Sequence, residues 1–355
     1  MKNAAILFGG RSSEHEVSLS SAYAVLSNID RTAFHVSMIG ITREGKWYLY
    51  EGALEAIRDN TWWSVDLPEV RVDMSRGRLC ASHNGTENEI PCDVVFPVLH
   101  GACGEDGTMQ GLFEVCGIPV VGCGCTAGAV CMDKALTKAI VSMETEIPLA
   151  GMVVAHRDTT ESVEALRIRC ENALSGYPMF VKPACSGSSV GASKVKTAED
   201  FPRAVELAFR EGGKIMIEEC ITGSEIELAV LEENGQYTVS VPAEIDVGGS
   251  EFYDYDTKYV SDGSSFYIPA RLTPTETETV RRYALEIFKV LECRGLSRVD
   301  FFRAEDGRFV FNEINTIPGF TPISMYPRLM IHGGISYSEL ITRLLDGALQ
   351  SAGKR

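Results

Sequence analysis

Apolar and polar positions alternate along this chain in two distinct rhythms. Ala4 to Phe8 is a short apolar run that stops at Gly9-Gly10, which predicts a buried strand and a tight turn. Val17, Leu19, Ala22, Val25 and Leu26 then recur at helical spacing, with Ser12 or Ser13 placed to cap the helix. His35–Ile41, Val94–Leu99 and Ile118–Val121 read as further strands, and Lys46–Tyr50 as a peripheral one. Asn60 to Asn88 carries no clear period. Strands alternating with helical stretches predict a parallel α/β unit over residues 1–122.

The rhythm continues beyond it. Helices are predicted over Asp133–Met143, Ser162–Leu174, Phe201–Phe209, Thr275–Leu291 and Tyr337–Leu345. Strands are predicted at Met152–Ala155, Met179–Lys182, Lys214–Glu218, Glu225–Leu231, Val239–Ile245, Arg298–Phe302 and Arg308–Ile314. A loop rich in Tyr and Asp spans Glu251–Ser265. Val115 to Met132 holds no charge, but its glycines and Pro119 make it a strand, a turn and a helix start, not a membrane span. The sequence has no internal repeat.

Composition narrows the chemistry. The 355 residues include 33 Lys and Arg against 49 Asp and Glu, a net charge of −16. That balance opposes binding to nucleic acid or to an anionic membrane, which needs a basic surface. Focused lysines can still hold a phosphate in an acidic protein. The 11 cysteines follow no disulfide or zinc spacing, and no secretory signal opens the chain, so a reducing cytoplasm is expected.

The densest chemistry lies between Arg298 and Asn315. Asp306-Gly307 between two alternating runs is a hairpin signal. A two-residue turn there sets Asp300 opposite Glu313 and Arg298 opposite Asn315, all on one face. Val299, Phe301, Val310 and Ile314 fall on the other. Two facing carboxylates repel unless something compensates. A magnesium ion suits such an all-oxygen set, and a solvated face with Arg298 pairing one carboxylate suits it equally. Lys182 at a strand end, before the loop Ala184–Gly191, can place an ammonium and backbone N–H groups around phosphate. Glu14 and Glu16 open the first helix, and His100 ends a strand before glycines. Each of these has a plain structural reading as well: a helix-dipole partner for the acids, a hydrogen-bonded core residue for the histidine.

Taken in order, these segments resemble the D-alanine–D-alanine ligase family of the ATP-grasp superfamily. The matching stretches are FGGRSSEHEVSLSSA (8–22), HGACGEDGTMQG (100–111), MDK (132–134), VKPACSGSSVG (181–191), FYDYDTKY (252–259), SRVDFF (297–302) and FNEINTIPGFTPISMYP (311–327). ITREGKWY (41–48) resembles the Gram-positive branch, which includes D-alanine–D-serine ligases.

The resemblance implies an α/β and α+β chain: a Rossmann-like domain over 1–122, and two ATP-grasp subdomains over 123–217 and 218–355. It implies ATP as a substrate, held by Lys134, Lys182, Ser188, Glu218, Ile221, Glu225 and Lys258. It implies two Mg²⁺ or Mn²⁺ at Asp300, Glu313 and Asn315. Glu14, Ser188 and Tyr259 would form a trio over the reaction centre, and Arg298 with the Gly319 N–H an oxyanion hole. Glu14, Val17, His100, Arg298, Ser324 and Met325 would face the amino-acid substrates. It further implies a cytoplasmic homodimer that makes D-alanyl-D-alanine for peptidoglycan. D-serine is the alternative second substrate, and D-lactate is disfavoured by Lys258-Tyr259. Cys185-Ser186 and Pro322-Ile323 depart from common family wording. A dinucleotide-binding module at Gly9-Gly10 is the competing enzyme class, although the full glycine fingerprint is absent. A catalytically silent relative is the other reading.

Overall fold

The computed structural model describes residues 1–174, 176–187, 190–246 and 265–352. Its strands form three sheets. The first is centred on Lys2–Gly9, whose apolar run from Ala4 is fully buried, with Phe34–Ile41 and Val94–Pro97 parallel on either side. Ile118–Val121 contributes only a parallel bridge, Val95 to Val120, in place of the expected strand.

This sheet is mixed: a parallel unit with Lys46–Tyr50 as a peripheral hairpin strand was expected, and the antiparallel part is larger than that one strand. Trp47–Tyr50, Glu69–Asp73, Arg78–His83 and Thr86–Ile90 extend it as an antiparallel meander. The meander fills the stretch with no visible period. Its clearest signal is Asn84-Gly85, where φ is 49° and 78° and His83 pairs with Thr86. Two left-handed residues in a two-residue loop are what Asn-Gly favours in a hairpin.

Helix His15–Asn28 follows the first strand. Neither serine caps it. Ser12 Oγ instead accepts the Glu14 N–H at 3.2 Å and donates to the His100 carbonyl at 2.7 Å, tying two loops at the sheet's carboxyl end. Gly9 has φ +90°, and a methyl group there would come within 2.2 Å of the Ile41 carbonyl oxygen, so the turn needs glycine.

The second sheet holds Ser193–Val195, Met179–Pro183, Lys214–Glu219 and Met152–His156 in that order, all antiparallel. The third runs Ser265–Tyr267, Ala243–Asp246, Gly223–Glu233, Leu296–Ala304, Phe309–Asn315, with Gln236–Val239 also paired to Gly223–Glu233. The single strand expected over Val239–Ile245 is therefore two. Pro242 lies in the break, and proline cannot donate to a ladder. Asp133 caps helix Lys134–Glu144, accepting the Ala135 and Leu136 N–H groups at 3.1 Å each.

Helices Met325–His332 and Tyr337–Ala352 join the first and third sheets. Leu329, Leu340 and Leu344 share one apolar cluster with Phe8, Phe96 and Leu231. This shared core fixes the loops of the two sheets against each other. All eleven cysteines are free thiols.

Candidate active site

The hairpin places its side chains as expected, by a different route. Asp300 faces Glu313 and Arg298 faces Asn315. The turn, however, spans Glu305–Gly307: the Ala304 N–H donates to the Arg308 carbonyl at 2.9 Å, and Gly307 has φ +84°. That three-residue loop alone would shift the pairing by one residue. A bulge between Asp300 and Phe301 shifts it back. The bulge also exchanges the core residue. Phe311, not Val310, packs with Val299, Phe301 and Ile314, while Val310 lies with Ala150 and Ala304.

Asp300 is fully buried and takes both arms of Arg298, at 2.8 Å from Nε and 2.7 Å from Nη2. Asn315 Nδ2 donates to the same carboxylate at 3.1 Å. Glu227, which pairs with Asp300 from the neighbouring strand, is 3.2 Å from Arg298 Nε. Burial opposes the Arg298 charge, but Asp300 and Glu227 outweigh it and raise the guanidinium pKa well above its usual value. Glu313 pairs with Lys134 Nζ at 3.2 Å.

The geometry also tests the site for a divalent cation. Oxygens of Glu225, Glu227 and Asp300 lie within 4.8 Å of one another. Glu313 faces Asp300 across the hairpin. A crowded, mostly buried set of carboxylate oxygens fits Mg²⁺ or Mn²⁺. Glu227 was not expected. Its signal is the alternation Glu225-Ile226-Glu227, which puts both acids on one face of a strand.

A second cluster sits on the second sheet. Glu218 lies between two lysines: Lys182, at 2.6 Å, and Lys138, to which it is hydrogen-bonded. All three are nearly inaccessible. Burial pushes the Glu218 carboxyl up, yet Lys138 and Lys182 hold it down to about 2. Burial lowers Lys138 to about 8. Both members are therefore charged at neutral pH. Lys138 escaped the sequence reading because a helical lysine resembles any surface lysine. It lies one turn beyond Lys134, so both project from one side of the capped helix.

Lys134 lies on the same helix as Lys138 and pairs with the first cluster. Besides Glu313, its Nζ reaches the Ser186 carbonyl at 2.6 Å, in the Gly/Ser loop after Lys182. Glu225 is nearly buried and Ile221 half-buried at the start of the third sheet. Glu14 lies where three loops meet. A methyl group added at Gly101 or at Gly187 would come within 2.6 or 2.7 Å of its Oε2. Ser188, Lys258 and Tyr259 lie outside the described residues, as does most of the Tyr/Asp loop.

The remaining expected residues are close-packed. His100 is buried, with Nε2 3.1 Å from Ser21 Oγ and Nδ1 3.0 Å from the Ile317 carbonyl. Burial lowers its pKa, so a neutral ring donates through Nδ1 and accepts from Ser21. Both nitrogens are committed within the protein, which makes His100 a support for loop 316–320. Val17 is buried in the first helix. Ser324 Oγ accepts the Thr321 N–H at 3.0 Å and lies 2.7 Å from where a methyl group on Gly319 would sit. The Met325 side chain is buried in the apolar cluster with Phe320 and Tyr326, so only its backbone at the helix start is free to face a ligand.

Comparison with known proteins places this arrangement in a family. Residues 3–123 match the family described as "D-ala D-ala ligase N-terminus" and residues 141–346 that described as "D-ala D-ala ligase C-terminus". The chain is 46% identical to a D-alanine--D-alanine ligase of Caldicellulosiruptor bescii, over 98% of this chain and 94% of that one. It is also 46% identical to one of Acetivibrio thermocellus, over 98% and 96%. Among solved structures, the VanG D-Ala:D-Ser ligase from Enterococcus faecalis superposes with a TM-score of 0.87 at 41% identity, over 98% of this chain and 99% of that one. The D-alanine-D-alanine ligase from Coxiella burnetii gives 0.84 at 30% identity, over 99% and 95%. These matches set aside a dinucleotide-binding module at Gly9-Gly10.

Proposed function

The chain belongs to the D-alanine–D-alanine ligase family and has its ATP-grasp fold, and from that premise we propose that it joins two D-alanine molecules at the expense of ATP, supplying D-alanyl-D-alanine for peptidoglycan. The observation that supports this reading is two groups of paired charges, Lys138–Glu218–Lys182 on the second sheet and Lys134–Glu313 beside Arg298–Asp300 on the third, with Lys134 and Lys138 on one helix.

An amide forms from a carboxylate only after activation. Glu218 and the Ile221 backbone receive adenine, and Glu225 the ribose hydroxyls. Lys134, Lys182, Ser188 and Lys258 receive phosphate oxygens, which are anionic and need positioning more than covalent help. The first D-alanine carboxylate takes the γ-phosphoryl group, giving an acyl phosphate and ADP. The amine of the second D-alanine attacks that carbonyl, and collapse of the tetrahedral species releases phosphate and the dipeptide.

Arg298 and the Gly319 N–H meet the oxyanion. Asp300 and Glu227 hold the Arg298 guanidinium in place before the reaction starts. Glu14, Ser188 and Tyr259 cover the reaction centre, and the Tyr/Asp loop excludes water from the acyl phosphate. Asp300, Glu313 and Asn315, with Glu225 and Glu227 beside them, would hold Mg²⁺ or Mn²⁺, which neutralises phosphate charge when bound. The division at residues 122 and 217, the homodimer and the cytoplasmic location belong to the same reading. Among the described residues, no helix is long and apolar enough to cross a membrane.

A D-alanine–D-serine ligase is the second reading, favoured by the likeness to the VanG enzyme. ATP-dependent phosphate release with D-alanine alone, with added D-serine and with added D-lactate separates them. D-Alanine alone is expected to sustain turnover. A much higher kcat/KM for D-serine at the second site overturns the first choice.

A further inference from the structure

The first sheet has a cavity that the ligase reading leaves unused. Helix His15–Asn28 packs on the Ala4, Ile6 and Phe8 side of the first strand, and helix Thr108–Cys116 on the Ala5 and Leu7 side. The chain therefore leaves the neighbouring strands Lys2–Gly9 and Val94–Pro97 toward opposite faces. Such a divergence opens a crevice beyond the carboxyl ends of the strands. On the Thr108–Cys116 side the crevice is a cavity of about 360 Å³, walled by Ile41, Trp47, Leu99, Met109 and Leu112. Small-molecule sites are typically about 300–1,000 Å³, mostly apolar, with a few fixed polar groups.

The fixed polar group here is Arg11. Its stem crosses the turn at Gly45, where φ is +87° and a methyl group would come within 2.8 Å of Arg11 Cδ. Its guanidinium makes no ion pair or hydrogen bond among the described residues. Glu16 pairs with Arg43 instead, and Asp106 accepts the Cys103 and Thr108 N–H groups. Among the described residues that line the cavity none is acidic. An unpaired cation beside apolar walls, in a chain of net charge −16, favours an anion with an apolar body.

We propose that this cavity is an effector site for a small apolar carboxylate, with Arg11 holding the carboxylate and the apolar walls its body. The same loops bear the amino-acid site on their other side. Ser12 and His100 both line the cavity, and Ser12 Oγ donates to the His100 carbonyl at 2.7 Å and accepts the Glu14 N–H at 3.2 Å. A ligand that shifts either loop therefore shifts Glu14. This coupling rests on the ligase reading above, whereas the cavity does not.

2-Naphthoate is the probe, titrated calorimetrically into the full chain. It should bind once per chain with a Kd of about 0.1–1 mM, as expected for a ligand of its size. The neutral 2-naphthamide and the Arg11→Gln variant should each weaken binding about tenfold, the worth of one hydrogen bond to a charge. Leu112→Trp, at the half-buried mouth, should fill the cavity and abolish binding. The probe should slow alkylation of the exposed Cys103, which lines the cavity, as mapped by mass. At saturation it should change the KM for D-alanine about fivefold and leave the KM for ATP unaltered. No saturable binding below about 5 mM overturns the site. So does binding that neither the amide nor Arg11→Gln weakens, or that D-alanine displaces outright, which puts the probe in the amino-acid site. An unchanged KM for D-alanine overturns the effector role. Wild-type protein without D-alanine-dependent phosphate release overturns the ligase reading and the coupling, while calorimetry, which needs no turnover, still decides the cavity.

Discussion

Substituting Lys138 by methionine isolates the energetics of the buried charge cluster. Methionine keeps the length of the side chain and removes the ammonium. In the intact protein the Glu218 carboxyl lies at about 2 against an ordinary 4.5. At 1.36 kcal/mol per pKa unit, that difference is about 3 kcal/mol of net preference for the ionised form. Lys138 and Lys182 supply it against burial. Removing one partner of a buried pair typically costs about 3–5 kcal/mol, because the other charge is stranded. Lys182 remains at 2.6 Å, so Lys138→Met should fall near the lower end, about 3 kcal/mol in urea unfolding at pH 7.

The pH dependence has a definite sign. A depressed carboxyl contributes stability that is fully present above pH 4.5 and is lost as pH falls toward 2. The gap between wild type and Lys138→Met should therefore close over that window. Adding Glu218→Gln removes the stranded charge, so the double variant should be less destabilised than the sum of the two singles. A loss below about 1 kcal/mol for Lys138→Met, the size of an exposed pair, or strict additivity in the double variant, would refute the reasoning.

Glu313→Gln preserves volume but removes a charge from the proposed cation site. It should cut Mg²⁺-dependent phosphate release by at least the ~10–100-fold seen for changes around metal sites, with an unaltered circular dichroism spectrum; unchanged activity would sink the metal assignment. Glu227→Gln frees one side of Arg298, and a fall in kcat with the KM for ATP unchanged is expected from steady-state kinetics. Gly187→Ala drives a methyl group to 2.7 Å from Glu14 Oε2, and kcat/KM for D-alanine should drop; equal kinetics would show that Glu14 can move aside freely. Cys185 is exposed in the phosphate-side loop, and burial of its sulfur, with Asp133 nearby, raises the thiol above its usual 9.0. Alkylation should therefore speed up as pH rises past 9.0, inactivate the enzyme and be slowed by ATP, as mass-mapped labelling can follow.

Local pattern was enough for much of this protein. Strand Lys2–Gly9, helix His15–Asn28 and the facing of Asp300 with Glu313 all follow from periodicity, because burial of one face dictates which side chains share it. Seven ordered motifs identified the family. The meander over residues 69–90 shows no hydrophobic period because Thr86–Glu89 is exposed on both faces while Leu79, Cys80 and Ala81 are buried in succession. Only its Asn-Gly turn could have marked it.

The tertiary structure alone decided how charge is shared. The bulge after Asp300 depends on which of two loop lengths the strand ladder accepts, and the correct pairing was reached from the wrong turn. Lys138 and Glu227 acquire their roles only from partners 80 and 71 residues away, namely Glu218 and Arg298. A side chain's own sequence neighbourhood sets its backbone conformation. Its desolvation and its counter-charge come from segments brought together by the fold, and those decide what an ionisable group can do.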